Sequence, residues 1–200
     1  MDEITLISLI VLGVALLLPV LTEKLVHHHH LLTQVKYYIF AVYVFANLYE
    51  TLLFRVITPE AKYELGFLWS YREALSFHKA GGFRILITNG ALLKGIILNI
   101  LLYIPLGYLL PFTWPKLARK KREITTGNRA IRWLWSIPWK VVLIGLLGSI
   151  ATEVTQLVFH LGLFEFDDIL NNTIGCILGT LLYNGLLRRH TEQSAKTDLW

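Results

Sequence analysis

Glu153, Gln156, Asp167, Asp168, Asn171 and Asn172 lie between Ser149 and Gly175, inside and between two of the most apolar runs of the chain. A carboxylate at a bilayer centre costs about 2.5–3.5 kcal/mol on insertion scales, so something in the fold must offset it. Two carboxylates close together in a low-dielectric cavity push one pKa upward, which leaves one acid and one base. Glu153 and Asp168 are therefore the candidate catalytic pair, although the residues alone do not say whether any reaction occurs. His160 follows Glu153 by seven residues on the same helical face. A lone histidine at a helix end is more often interfacial than catalytic, and no nucleophile–histidine pair stands at a recognisable spacing. Glu153, Asp167 and Asp168 could offer oxygen ligands, but no spacing motif demands a metal, and no cofactor is expected.

The elements that must hold these residues are helices. The chain of 200 residues is 54% AVILMFWYC and 16% charged, with a mean hydropathy of +0.53. A soluble domain carries about 25% charged residues, so the composition points to an all-α, polytopic membrane bundle. Five spans are expected: 4–22, 37–57, 89–112, 141–161 and 168–187. The first begins after Met1-Asp2-Glu3, without the basic start of a secretory signal, and reads as an uncleaved anchor. Residues 1–36 then form an anchor and linker, the linker carrying His27 to His30 and reading as a solvated loop; 37–187 form the membrane domain; 188–200 form a polar tail. Residues 58–88 are too polar to span, and Phe67 to His78 suggests an interfacial or re-entrant helix ended by Gly81-Gly82. Pro105 and Gly107 are expected to kink or loosen the third span. Cys176, the single cysteine, rules out an internal disulfide.

Charge placement sets an expected orientation. With the N-terminus outside, the inner side receives thirteen basic residues, eight of them in the loop 113–140, and the outer side receives six. The positive-inside rule favours that arrangement, with the C-terminus inside. The basic excess thus reads as topology, with no nucleic-acid partner. The acidic turn 162–167 and the 58–88 segment then face outward.

Helical periodicity gathers the polar residues into stripes. On the fourth span Gly145, Ser149, Thr152, Glu153, Gln156 and His160 share one arc, and on the fifth Asp168, Asn171, Asn172, Gly175 and Gly179 do so. These arcs should pack together and against the faces carrying Asn47/Glu50 and Asn99/Tyr103, with Gly175-x-x-x-Gly179 permitting close approach. Three uses of the cluster compete. A packing lattice explains the asparagines well, but explains Glu50, Glu153 and Asp168 poorly, because neutral residues would pack at lower cost. A site near the outer face would bind a polar headgroup or small ligand, or do acid–base work on one. Proton or ion translocation fits least, since the chain has no inverted repeat.

Three motifs in order resemble the VanZ-like family of bacterial membrane proteins. They are Asn99-x5-Pro105-x-Gly107, Ser149-x3-Glu153-x2-Gln156 and Phe164-x3-Asp168-x3-Asn172-x2-Gly175. The run Trp69 to Leu75 also looks like that family's external segment, and the likeness covers about residues 37–187. Two features depart from it. An arginine common before the Phe–Asp motif is replaced by Gly162-Leu163, so Arg55, Arg72 or Arg84 must balance the acids, or one acid must stay protonated. Phe67-Leu68 stands where the family often has a proline. The resemblance implies a multi-pass protein of a bacterial cell membrane, associated with low-level resistance to teicoplanin-type glycopeptides. It would act on a cell-envelope component such as a lipid-linked cell-wall precursor or lipid headgroup. The expected ligand-binding residues are Glu50, Asn99, Ser149, Glu153, Gln156, Asp168 and Asn172. The alternative is a structural or partner-binding membrane protein whose polar cluster only holds its helices together.

Overall fold

The computed structural model describes residues 13–14, 17–18, 21–22, 29–53, 55, 57–78, 84–118 and 137–197. Most of the anchor expected at 4–22, His27-His28 of the histidine run and most of the basic loop lie outside them. The described chain is a helical bundle. Helix α1 covers His29–Leu48 and continues as a π-helical turn over Tyr49–Leu53; β1 is Lys62–Glu64, α2 Trp69–Ala74, β2 Leu75–His78 and β3 Arg84–Ile87. Then come α3 (Gly90–Thr113), α4 (Pro115–Ala118), α5 (Trp139–Val158), β4 (Leu163–Glu165) and α6 (Phe166–Thr197).

Among the described residues, three helices are long and apolar enough to cross a bilayer: Leu31–Leu53, Gly90–Thr113 and Trp139–Val158. They present apolar side chains outward, Val42, Phe45 and Leu53 on α1 and its π turn and Leu143, Leu147 and Val158 on α5. An apolar girdle of that extent belongs in lipid. Trp114 and Trp139 are exposed at one end of this layer, where Trp114 meets Tyr37 and Phe40 edge-on. Helix α6, whose first two turns carry Asp167, Asp168, Asn171 and Asn172, is not among the three. Those residues turn inward, since Asp167, Asn171 and Asn172 are all buried.

Several expectations change. Helix α1 starts at His29, so the latter part of the expected linker is helical; Thr33, Gln34, Val35 and Lys36 carry no breaker. The expected helix from Phe67 to His78 is only Trp69–Ala74. Leu75–His78 instead pairs antiparallel with Arg84–Ile87, Leu75 opposite Ile87 and His78 opposite Arg84. A chain that reverses within so few residues satisfies its backbone as a hairpin. The polar tail continues α6 as far as Thr197. Helix α3 carries both Pro105 and Pro111 inside its span from Gly90 to Thr113.

The bundle axis is the contact between α3 and α6. A Cβ added at Gly175 would stand 2.1 Å from the Ile100 carbonyl oxygen, and one at Gly179 would stand 2.0 Å from that of Ile104. From the opposite side, a Cβ at Gly107 would stand 2.0 Å from the Cys176 carbonyl oxygen. The glycine stripe of α6 therefore lies against α3, where it brings the two backbones into contact. Ser149 of α5 meets Asn172 on another side of α6, with Asn172 Nδ2 donating to Ser149 Oγ at 2.9 Å. An apolar cluster of Ile39, Tyr43, Tyr108, Leu109 and Phe112 closes the α1–α3 seam toward the tryptophan end.

Candidate functional site

At the end of the bundle away from Trp114 and Trp139, the helix ends and loops enclose a cavity of about 510 Å³. Helix α1's π turn supplies Glu50 and Thr51, followed by Arg55; α2 supplies Ser70; the strand–helix junction supplies Glu165 and Asp168. Helix α3 forms the long wall, with Leu92, Gly95, Ile96, Asn99 and Leu102 spaced along one face.

The local structure explains how each group arrives there. A π turn carries one residue more than an α turn and is frequent at functional sites. Here it covers Tyr49–Leu53, with Glu50 and Thr51 both at the cavity. Its Thr51 carbonyl accepts from Gln156 Nε2 at 2.9 Å. Behind it, Thr51 Oγ1 donates to the Asn47 carbonyl at 2.8 Å, and Asn47 Nδ2 donates to Tyr43 Oη at 3.3 Å. Tyr43 Oη in turn donates to the Leu102 carbonyl at 2.9 Å, so this chain of bonds ties α5, α1 and α3 together.

Helix α5 stops beneath the cavity in a Schellman turn. Leu161 N–H donates to the Gln156 carbonyl at 2.8 Å and His160 N–H to the Leu157 carbonyl at 3.4 Å, with His160 left-handed at φ 56°. The His160 carbonyl then accepts from Thr58 N–H at 2.8 Å and Thr58 Oγ1 at 3.1 Å. The chain leaves this turn through Gly162 (φ 146°) into β4, which pairs in parallel with β1, Tyr63 opposite Phe164. A Cβ on Gly162 would stand 3.6 Å from Arg55 Nη1. The arginine missing from the chain before Phe164 is thus replaced in space by one from the end of α1.

Asp167 is fully buried and holds the start of α2. Its Oδ1 accepts from Leu68 N–H at 2.7 Å, and its Oδ2 accepts from Ser70 N–H at 2.9 Å and Ser70 Oγ at 2.7 Å. The carboxylate satisfies donors at the start of α2 that the helix itself leaves open. One turn on, Tyr71 Oη donates to Asn171 Oδ1. Burial, and then the charges of Asp167 and Asp168, raise the Tyr71 phenol above its usual pKa, which keeps it a donor.

Glu165, Asp168 and Asn99 stand together in the cavity lining. Burial raises the Glu165 pKa to about 7, assisted by the charge and hydrogen bond of Asp168 and by Asp167, while Arg55 opposes the shift.

The seven expected ligand-binding residues divide between two places. Glu50, Asn99 and Asp168 line the cavity together. Ser149, Glu153, Gln156 and Asn172 lie outside its walls, buried between helices. Glu153, 2% exposed, accepts from Glu165 N–H at 3.1 Å through Oε2 and so fixes the strand that carries Glu165. Arg55, Ser70 and Glu165 join the lining without having been singled out as binding residues. Arg55 was legible as one of three arginines able to balance the acids, and Glu165 lay in the acidic turn 162–167; Ser70 lay in the Trp-Ser-Tyr run with no chemical signal of its own. Among the described residues no group of three or more histidine, cysteine, aspartate or glutamate side chains is arranged to hold a metal ion.

No curated protein and no solved structure matches the chain. The VanZ/LLP1 family matches residues 35–188, a range that takes in α3 and α5 whole, most of α1 and α6, the segment 58–88 and every wall of the cavity. With its glycine-packed helix pair and its polar cavity inside those bounds, the chain is a VanZ-like membrane protein and belongs to the VanZ/LLP1 family.

Proposed function

We propose that this protein spans a bacterial cell membrane five times with its N-terminus outside, and that its cavity opens on the outer face. There it binds, and acid–base chemistry at Glu165 and Asp168 could alter, a polar group of a cell-envelope component, lowering susceptibility to teicoplanin-type glycopeptides. The observation that carries this is the gathering of Glu50, Arg55, Asn99, Glu165 and Asp168 around one cavity. A packing lattice needs no open volume, and a buried acid without a ligand is costly to keep. Support for the outward opening comes from charge placement. The cavity lies at the end opposite the tryptophans that flank the strongly basic 113–140 loop, and basic loops stay on the inner side.

A structural role fits a different subset. Ser149–Asn172 and Gln156–Thr51 are interhelical hydrogen bonds, and they do what a lattice requires. The two roles separate by isosteric substitution. Asp168→Asn and Glu165→Gln preserve shape while removing charge. In cells lacking the native copy, both variants should reach the membrane at normal levels and leave the cells more sensitive to teicoplanin. Normal levels with unchanged susceptibility would sink the proposal.

A further inference from the structure

We propose that the ligand of the cavity is a zwitterionic amphiphile, with an ammonium facing the carboxyls, a phosphate facing Arg55 and an apolar chain along α3. This rests on the cavity being a binding site, as proposed above, and adds its substrate class.

The charges come first. Glu165 and Asp168 stand together in the lining, two acids from the strand–helix junction. Glu50 adds a carboxylate and Arg55 a guanidinium in the same enclosure. An anion alone would meet Arg55 but leave the carboxyls facing it. A cation alone would satisfy the carboxyls and face Arg55 unpaired. A ligand with both signs pairs each group with its opposite, the arrangement in which removing charges from water is least costly. Guanidinium also suits phosphate geometrically, as a planar fork of N–H donors. Asn99 adds an uncharged donor and acceptor beside Asp168.

The shape then extends the ligand beyond its headgroup. Leu92, Ile96 and Leu102 place apolar surface along the α3 wall, with Gly95 and Asn99 between them. From Leu92 to Leu102 the helix rises about 15 Å, half the thickness of a hydrocarbon core. A free polar solute would leave that wall in contact with water. An acyl chain would cover it, and Gly95, with nothing within 4 Å of an added Cβ, leaves room along it.

The test compares three probes on the purified full-length protein by native mass spectrometry in detergent. Lysophosphatidylethanolamine carries the amine, phosphate and chain; lysophosphatidylglycerol lacks the amine; phosphoethanolamine lacks the chain. The first should bind about tenfold more tightly than either of the others, because each lacks a contact made in a desolvated site. In Asp168→Asn the preference for ethanolamine over glycerol should disappear, and Arg55→Gln should weaken both lysolipids. Equal binding of the two lysolipids would overturn the ammonium assignment. Binding of phosphoethanolamine as tight as that of its lysolipid would overturn the chain assignment and identify a free headgroup as ligand. These outcomes need only the native protein, so a variant that fails to fold does not blunt them. If the probe preferences fail while Asp168→Asn still raises teicoplanin sensitivity, the substrate class falls and the binding site stands. If neither moves, both fall.

Discussion

The cavity and the helix seam beneath it use the same residue types for opposite ends. In the seam, the amides and hydroxyls of Ser149, Gln156 and Asn172 reach hydrogen-bond partners on neighbouring helices, and glycines let α3 and α6 touch. At the cavity, Glu50, Arg55, Glu165 and Asp168 gather charge around open volume. Glu153 and Asp167 stand at the border as acids turned to positioning: one holds the backbone of Glu165, the other the start of α2. The difference teaches that a polar stripe in a membrane helix is not one functional unit. Neutral groups deep in the stripe pair with each other, and the ionisable groups concentrate where the helices end.

The comparison breaks most severely at the seam. A side chain at Gly179 must displace the Ile104 carbonyl, which a Cβ would approach to 2.0 Å. Gly179→Val should destabilise the fold by about 3 kcal/mol or more, visible as loss of folded protein in detergent by thermal unfolding. Asp167→Ala comes next. It leaves the Leu68 and Ser70 N–H groups without their acceptor and should cost about 2 kcal/mol, with amide exchange accelerated in residues 68–74 and not in α5.

A pH series sharpens the cavity side. The folded pKa of Glu165 lies above its unfolded value, so between about 4.5 and about 7 the native state binds more protons than the unfolded one. Stability should therefore fall as pH rises through that window. The groups facing Glu165 are Asp168 and Asp167 from α6, Arg55 from the end of α1 and Glu153 from α5. In Glu165→Gln the fall should be reduced, as measured by unfolding at stepped pH. The smallest effect belongs to the seam's hydrogen bonds. Asn172→Ala should cost about 0.6 kcal/mol, the average for such bonds in membranes, because its Oδ1 is buried without a hydrogen-bond partner already.

Much of this division was legible in the residues. Apolar runs and periodicity located the long helices and put Glu153, Gln156 and Asn172 on inward stripes, and Gly175-x-x-x-Gly179 announced a close helix contact. The partner of that contact was not legible, since a glycine pair says that something approaches and not what. Nor was the split between cavity and seam, because Glu50 and Gln156 look alike until the π turn and the Schellman turn fix where each helix ends. Strands β1 and β4 pair about a hundred residues apart, a contact no local propensity encodes. The β2–β3 hairpin was missed because Phe67–His78 mixes aromatic and apolar residues in a way that suits an interfacial helix equally well. Arg55 was visible as one of three basic residues able to balance the acids; only the approach of its guanidinium to Gly162 selects it.

The central claim is that charge at the cavity does the work and the seam only supports it. Teicoplanin susceptibility, normalised to folded protein in the membrane, should be measured for Asp168→Asn beside Asn172→Ala. The prediction is a clear rise in sensitivity for Asp168→Asn at normal protein level, and native susceptibility per folded molecule for Asn172→Ala. Equal effects of the two substitutions, or none for Asp168→Asn, would contradict it.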